Sequence, residues 1–120
     1  MEFKSNTPIY LQVIDDIKSR ILSGEIKPGD KLPSSRELAV QYDINPNTAA
    51  RIYSEMERMG LSYTKRGIGT FVAETTDTLD SMKEEALQKV LLEFRDAMKA
   101  MGYDEASMIS ELKKFLSKKS

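Results

Sequence analysis

The 120-residue chain has no cysteine, no histidine and no tryptophan. Without thiols there are no disulfides and no thiolate nucleophiles. Without imidazole there is neither the commonest transition-metal ligand nor the side chain that titrates nearest neutral pH. A metal centre would need carboxylates alone, yet the acids are scattered along exposed helix faces, so no metal, cofactor or enzymatic chemistry is expected. Long apolar runs are missing too. No stretch approaches the roughly 18 apolar residues of a membrane span, and no basic segment followed by an apolar core opens the chain. A cytoplasmic location and no membrane partner are therefore expected. Proline and glycine are scarce, four and six residues, so each one punctuates.

What is present is mostly helix former with a balanced charge. The length suits one domain, or one small domain with an appendage, and leaves no room for a sizeable catalytic domain. The net charge of −1 is unlike nucleic-acid-binding domains, which often have a pI above about 9. Any such role needs a local patch. Residues 31–70 supply a modest one, where Lys31, Arg36, Arg51, Arg58, Lys65 and Arg66 outnumber Glu37, Asp43, Glu55 and Glu57.

Thr7-Pro8 reads as an N-cap followed by proline in the first turn, opening a helix over 8–23 whose buried face is Tyr10, Val13, Ile14, Ile17 and Ile21. Lys27-Pro28-Gly29-Asp30 is a type II turn by its central Pro-Gly, and it delivers Leu32 to the core. Ser34 and Glu37 form a capping box for a helix at about 35–42, with Leu38, Ala39 and Tyr42 inward. Asn45-Pro46 repeats the cap-plus-proline signal, and Ala49, Ile52, Tyr53 and Met56 give a third helix its core stripe as far as about Met59. Leu61 and Tyr63, the basic tip Lys65-Arg66-Gly67-Ile68-Gly69, and Thr70-Phe71-Val72 then read as a hairpin.

At Thr75 the composition shifts. The run TTDT reads as a short linker and cap, followed by a helix over about 78–101 with a wide apolar stripe that includes Leu79, Met82, Ala86, Leu87, Val90, Leu91, Phe94, Ala97, Met98 and Met101. After Gly102, Asp104 caps a last helix bearing Met108, Ile109, Leu112, Phe115 and Leu116, with Tyr103 placed to staple against Met108. The ending SKKS is a solvated tail. The predicted fold is mainly α with a small β-wing: a winged helix-turn-helix over 1–76 and a helical hairpin over 77–120.

That order gives the third helix a function. A helix N-terminus presents unsatisfied N–H groups and partial positive charge, so Asn45, Pro46, Asn47 and Thr48 form a start suited to phosphate and base edges. Asn47, Arg51, Ser54 and Arg58 line the outward face, which is otherwise an ordinary solvated surface. Asn45 also serves as the cap, and the two roles are compatible. Ser34 and Arg36 open the second helix over the DNA backbone, the alternative for Arg36 being a surface ion pair with Glu37 or a carboxylate elsewhere. Lys65 and Arg66, beside Gly67 and Gly69, are cations on a tip with no neighbouring acid, suited to phosphate or a minor groove. The alternative is a hairpin with solubilising charge. Gly67-x-Gly69 is too short for a nucleotide loop and leads into a strand. The seven methionines read as adaptable packing.

The stretches PIYLQVIDDIKSRILSGEIKPGDKLPSSRELA, NPNTAARIYSEMERMGL and RGIGTFV resemble, without a gap over 8–73, the DNA-binding domain of GntR-type bacterial transcription regulators. NPNT with a short two-helix tail is similar to the YtrA-type subfamily. The resemblance implies a homodimer on double-stranded operator DNA with an inverted repeat, usually as a repressor. It places Arg36 at the family's helix-two arginine, Asn45 to Thr48 at the recognition-helix start and Gly67 to Gly69 at the wing tip. Pro46 and Ala50 stand where many members carry DNA-contacting arginine, so Arg51, Asn45 and Asn47 are the substitutes. The family's larger effector domains are absent, and a small-molecule effector is unknown.

One hairpin cannot bury so wide a stripe alone. A twofold bundle through Leu87, Val90, Leu91, Phe94, Met98, Met101, Ile109, Leu112, Phe115 and Leu116 is the self-complementary solution. The rival reading is a winged helix for protein–protein contact without DNA, which predicts an apolar outward face on the third helix.

Overall fold

A computed structural model describes residues 1–74 and 76–118. Five helices and one hairpin follow in the order α1 (Ile9–Leu22), α2 (Ser35–Tyr42), α3 (Pro46–Arg58), β1 (Ser62–Lys65), β2 (Gly69–Val72), α4 (Thr76–Ala100) and α5 (Glu105–Ser117). They form two compact units, Met1–Ser81 and Met82–Ser120. The first is a winged helix. α4 begins two residues before the expected start, and Thr75, the head of the supposed linker, lies outside the described residues, as do the last two of the SKKS tail.

α1 departs from expectation at its start. Pro8, not Thr7, occupies the N-cap position, and no side chain caps the helix. Gln12 takes over the anchoring: its Nε2 donates to the carbonyls of Thr7 (2.8 Å) and Lys4 (2.9 Å), and its Oε1 accepts the Lys4 N–H at 2.8 Å. Val13, Ile14, Ile17 and Ile21 are buried, whereas Tyr10 is only half-buried.

The turn at 27–30 closes as expected, with the Asp30 N–H donating to the Lys27 carbonyl at 3.0 Å. Gly29 sits at φ +83°, which the second centre of a type II turn demands. The segment behind it then pairs with the free edge of β2. Leu32 N–H donates to Thr70 O at 2.8 Å and Val72 N–H to Asp30 O at 2.9 Å, beside a bridge between Lys31 and Phe71. β2 is thus paired on both edges. β1 and β2 pair antiparallel with Ser62 opposite Val72 and Lys65 opposite Gly69. Ser62 and Val72 are buried, while Tyr63 and Phe71 turn to the opposite face and stack, ring centroids 5.7 Å apart.

The capping box of α2 forms, with Glu37 N–H donating to Ser34 Oγ (3.1 Å) and Ser34 N–H to Glu37 Oε1 (3.0 Å). α2 ends on Asp43 at φ +53°. Ile52 and Met56 of α3 are fully buried with Ala49, and α3 packs against α1, α2 and β1.

In the second unit Asp104 and Ser107 form a reciprocal capping box for α5. Tyr103 and Met108 line different hollows: Tyr103 lines one of about 440 Å³ with Phe115, and Met108 lines one of about 370 Å³ with Leu91 and Leu92. Among the described residues of this unit only Met82 and Met108 are buried.

Candidate nucleic-acid interface

Asn45 caps α3 with its side-chain oxygen, which accepts the Asn47 N–H at 2.8 Å. The side-chain amide keeps its donors, so capping leaves Asn45 able to hydrogen-bond outward. Pro46 fills the first helical position, where its missing N–H is an orphan anyway. Pro46, Asn47, Arg51 and Ser54 are exposed, and Thr48 is half-buried. The outward face of α3 is accordingly polar, not the apolar patch that a purely protein-binding winged helix predicts.

Arg51 is not a free solvated side chain. Its guanidinium lies 3.9 Å above the centre of the Tyr10 ring, a cation–π stack that fixes where the charge sits. Sequence periodicity assigned Tyr10 to the core stripe and gave no sign of this pairing. Arg58, one helical step beyond Ser54, is occupied instead. It donates through Nε and Nη2 to Glu55 at 3.1 and 2.7 Å, and that carboxylate holds the guanidinium pKa above its ordinary value.

Two tyrosines set the position of α2 beside α3. Tyr53 of α3 donates its hydroxyl to the Pro33 carbonyl just ahead of α2, and Tyr42 of α2 donates to Asp16 Oδ2 of α1 at 2.7 Å. Burial raises the pKa of both hydroxyls, with the Asp16 bond adding to it at Tyr42. Ser34 is consumed by its capping box. Arg36, second in α2, is exposed, and among the described residues it forms no ion pair, while Glu37 is engaged with Ser34.

At the wing, Lys65 ends β1 with its Nζ 5.2 Å from the Phe71 ring centre and 5.9 Å from that of Tyr63. Arg66 and Gly67 are exposed at the tip, and Gly69 opens β2 at φ +148°. Glu57 of α3 ties the wing to the helix by accepting the Thr64 N–H at 3.2 Å. Among the described residues, Arg36, Arg51, Lys65 and Arg66 form no ion pair. These four cations thus stand unpaired on α2, α3 and the wing of one small unit.

Residues 9–72 match the family model for bacterial regulatory proteins, gntR family. The chain belongs to the GntR family. It is 46% identical over 114 residues to the uncharacterized HTH-type transcriptional regulator YhcF of Bacillus subtilis, covering 95% of this chain and 94% of that protein. It is 51% identical over 75 residues to the HTH-type transcriptional repressor YtrA of the same organism, covering 62% of this chain and 58% of YtrA. Among GntR regulators it is therefore of the YtrA type. Among solved structures, the DNA-binding domain of AraR in complex with operator ORX1 superposes with a TM-score of 0.56 at 34% identity, over 60% of this chain and 93% of that one.

Proposed function

We propose that this GntR-family chain is a cytoplasmic, sequence-specific DNA-binding repressor acting as a homodimer on an inverted-repeat operator. The observation that carries the reading is the polar start of α3, capped by Asn45 and opened by Pro46. Asn45 and Asn47 stand at the positive end of the helix dipole, with Arg51 held a turn further on by Tyr10. In this reading α3 enters the major groove, Arg36 meets the backbone beside it, and Lys65, Arg66, Gly67 and Gly69 bring the wing to phosphate or minor groove. Ser34, Pro46 and Thr48 shape the helix starts that present these groups. The resemblance to AraR bound to operator DNA supports the ligand class.

The dimer reading rests on the hairpin of the second unit. Leu87, Val90, Leu91, Met101, Ile109, Leu112, Phe115 and Leu116 are exposed, Phe94 and Met98 are half-buried, and Leu92 adds to the surface. An apolar surface this extensive marks an interaction site, and a second copy of the hairpin matches it by symmetry.

Selection of bound sites from a random duplex pool tests the proposal in one step. An inverted repeat is expected, its half-sites spaced by about one helical turn or a multiple of it. Recovery of no enriched sequence would overturn sequence-specific binding, and recovery of a lone half-site would overturn the symmetric dimer.

A further inference from the structure

Lys31 did not stand out in the sequence beyond its charge, but the fold gives it a distinct setting. It follows the type II turn on the segment that pairs with the free edge of β2, and its bridge partner is Phe71. Residues directly opposite in an antiparallel pair project to the same face. Tyr63, opposite Phe71 on the other edge, and Lys65, two residues on from Tyr63, share that face. Its floor is the Tyr63–Phe71 stack. Lys65 Nζ lies over it from one side, and from the other Lys31 crosses the bare backbone of Gly69. A Cβ at Gly69 would stand 2.8 Å from Lys31 Cε and 3.6 Å from its Nζ. Glycine there is what lets the lysine lie across the strand.

Two lysines thus flank β2 from opposite edges, and among the described residues neither has an ion-pair partner; the nearby Glu74 carboxylate accepts the Tyr63 hydroxyl at 3.0 Å. Lys31 also faces the start of α2. The Glu37 carboxyl, held below its usual range chiefly by the hydrogen bonds with Ser34, feels the Lys31 charge as well, and Arg36 is its neighbour in sequence.

We propose that Lys31 is a DNA-backbone contact that grips a phosphate next to the one taken by Lys65, continuing the cationic line from Arg36 at the start of α2 onto the aromatic face of the wing. The inference rests on the DNA-binding reading above. Because phosphate contacts position without reading sequence, its signature is a loss shared by all duplexes.

The test uses the full chain and two duplexes, one recovered by selection and one of random sequence, titrated from about 50 to 200 mM salt. Lys31→Met should weaken both by the same factor and reduce the salt slope by about 0.9, and Lys31→Met with Lys65→Met by about twice that. Lys31→Arg should retain wild-type slope. Lys31→Gln repeats the measurement with a polar stem, and thermal melting of each variant confirms the folded state. Wild-type affinity and slope in Lys31→Met and Lys31→Gln, while Lys65→Met weakens binding, would overturn the role of Lys31 and leave DNA binding intact. A loss confined to the selected duplex with an unchanged slope would overturn it equally. If the wild-type chain binds neither duplex, the proposed function itself falls, and this inference with it.

Discussion

Arg51 shows how one side chain is prepared for its task. An arginine carries about 2 kcal/mol of rotamer entropy, and ordering it on contact with DNA would subtract that from binding. Stacked on Tyr10 at 3.9 Å, it has given up part of that freedom already, at a site where cation–π attraction contributes about 0.5–1 kcal/mol. Tyr10→Phe keeps the ring and should bind operator as the wild type does. Tyr10→Leu keeps apolar bulk but loses the π face, and should weaken operator binding by roughly 2- to 5-fold. Arg51→Ala should cost about 1–3 kcal/mol at the base pair it reads and change the preferred base there. Adding Tyr10→Leu to Arg51→Ala should then cost nothing further. Affinities of the three single variants and the double variant, measured on one operator, decide the point: an equal penalty from Tyr10→Leu with and without Arg51 would mean that Tyr10 acts independently of the arginine.

At the scale of elements, the helix starts carry the positional information, and two of them depend on an ionised carboxylate. Glu37 is held below the ordinary glutamate range by its bonds with Ser34, and Asp104 below the aspartate range by its bonds with Ser107. A carboxyl whose pKa is lower in the folded chain stabilises the fold above its unfolded pKa, and that contribution fades as pH falls through the folded value. Both groups are exposed, so the effect is small, but its sign is fixed. Melting temperature should fall below about pH 4, and Glu37→Gln and Asp104→Asn should fall less steeply because glutamine and asparagine keep the caps without titrating. Parallel curves for wild type and both variants would show that the caps contribute no acid sensitivity. These starts were readable from short-range pattern: Ser34-x-x-Glu37 and Asn45-Pro46 name their own geometry. The start of α1 was not, because Gln12 reaches back to Lys4 and Thr7 and draws the preceding segment across the helix end, leaving Thr7 out of the cap position.

On the scale of the whole molecule, the winged unit has a buried core of its own, while the hairpin leaves much of its apolar stripe exposed. A dimer through that stripe would hold two winged units together, and tethering of this kind raises apparent affinity by about 10²–10⁴-fold without any new DNA contact. Phe115 is 71% exposed in the single chain, so a glutamate there costs the subunit little, whereas a buried interface would have to desolvate it. Phe115→Glu should therefore be folded, monomeric by sedimentation, and weak on a full operator while close to wild type per half-site. A dimeric Phe115→Glu chain with full operator affinity would remove this surface from the dimer.

The order of elements, the caps of α2, α3 and α5, the turn at Gly29 and the polar face of α3 were all legible in the linear chain. These follow from contacts within a few residues, where local backbone sterics and helical periodicity leave few alternatives. The sequence also marked Arg36, Asn47, Lys65 and Arg66 as candidate contacts, because an exposed cation or amide at a helix start or turn is visible in its neighbours. Which residues far apart in the chain share a surface emerged with the packing of the elements. Tyr10 meets Arg51 because α1 packs on α3, and Lys31 lies across Gly69 because its segment pairs with β2. Tyr42 and Tyr53 fix α2 through Asp16 and Pro33. Each of these depends on the register and packing of whole elements, which are set by burial of the common core and carry no signature in the residues on either side.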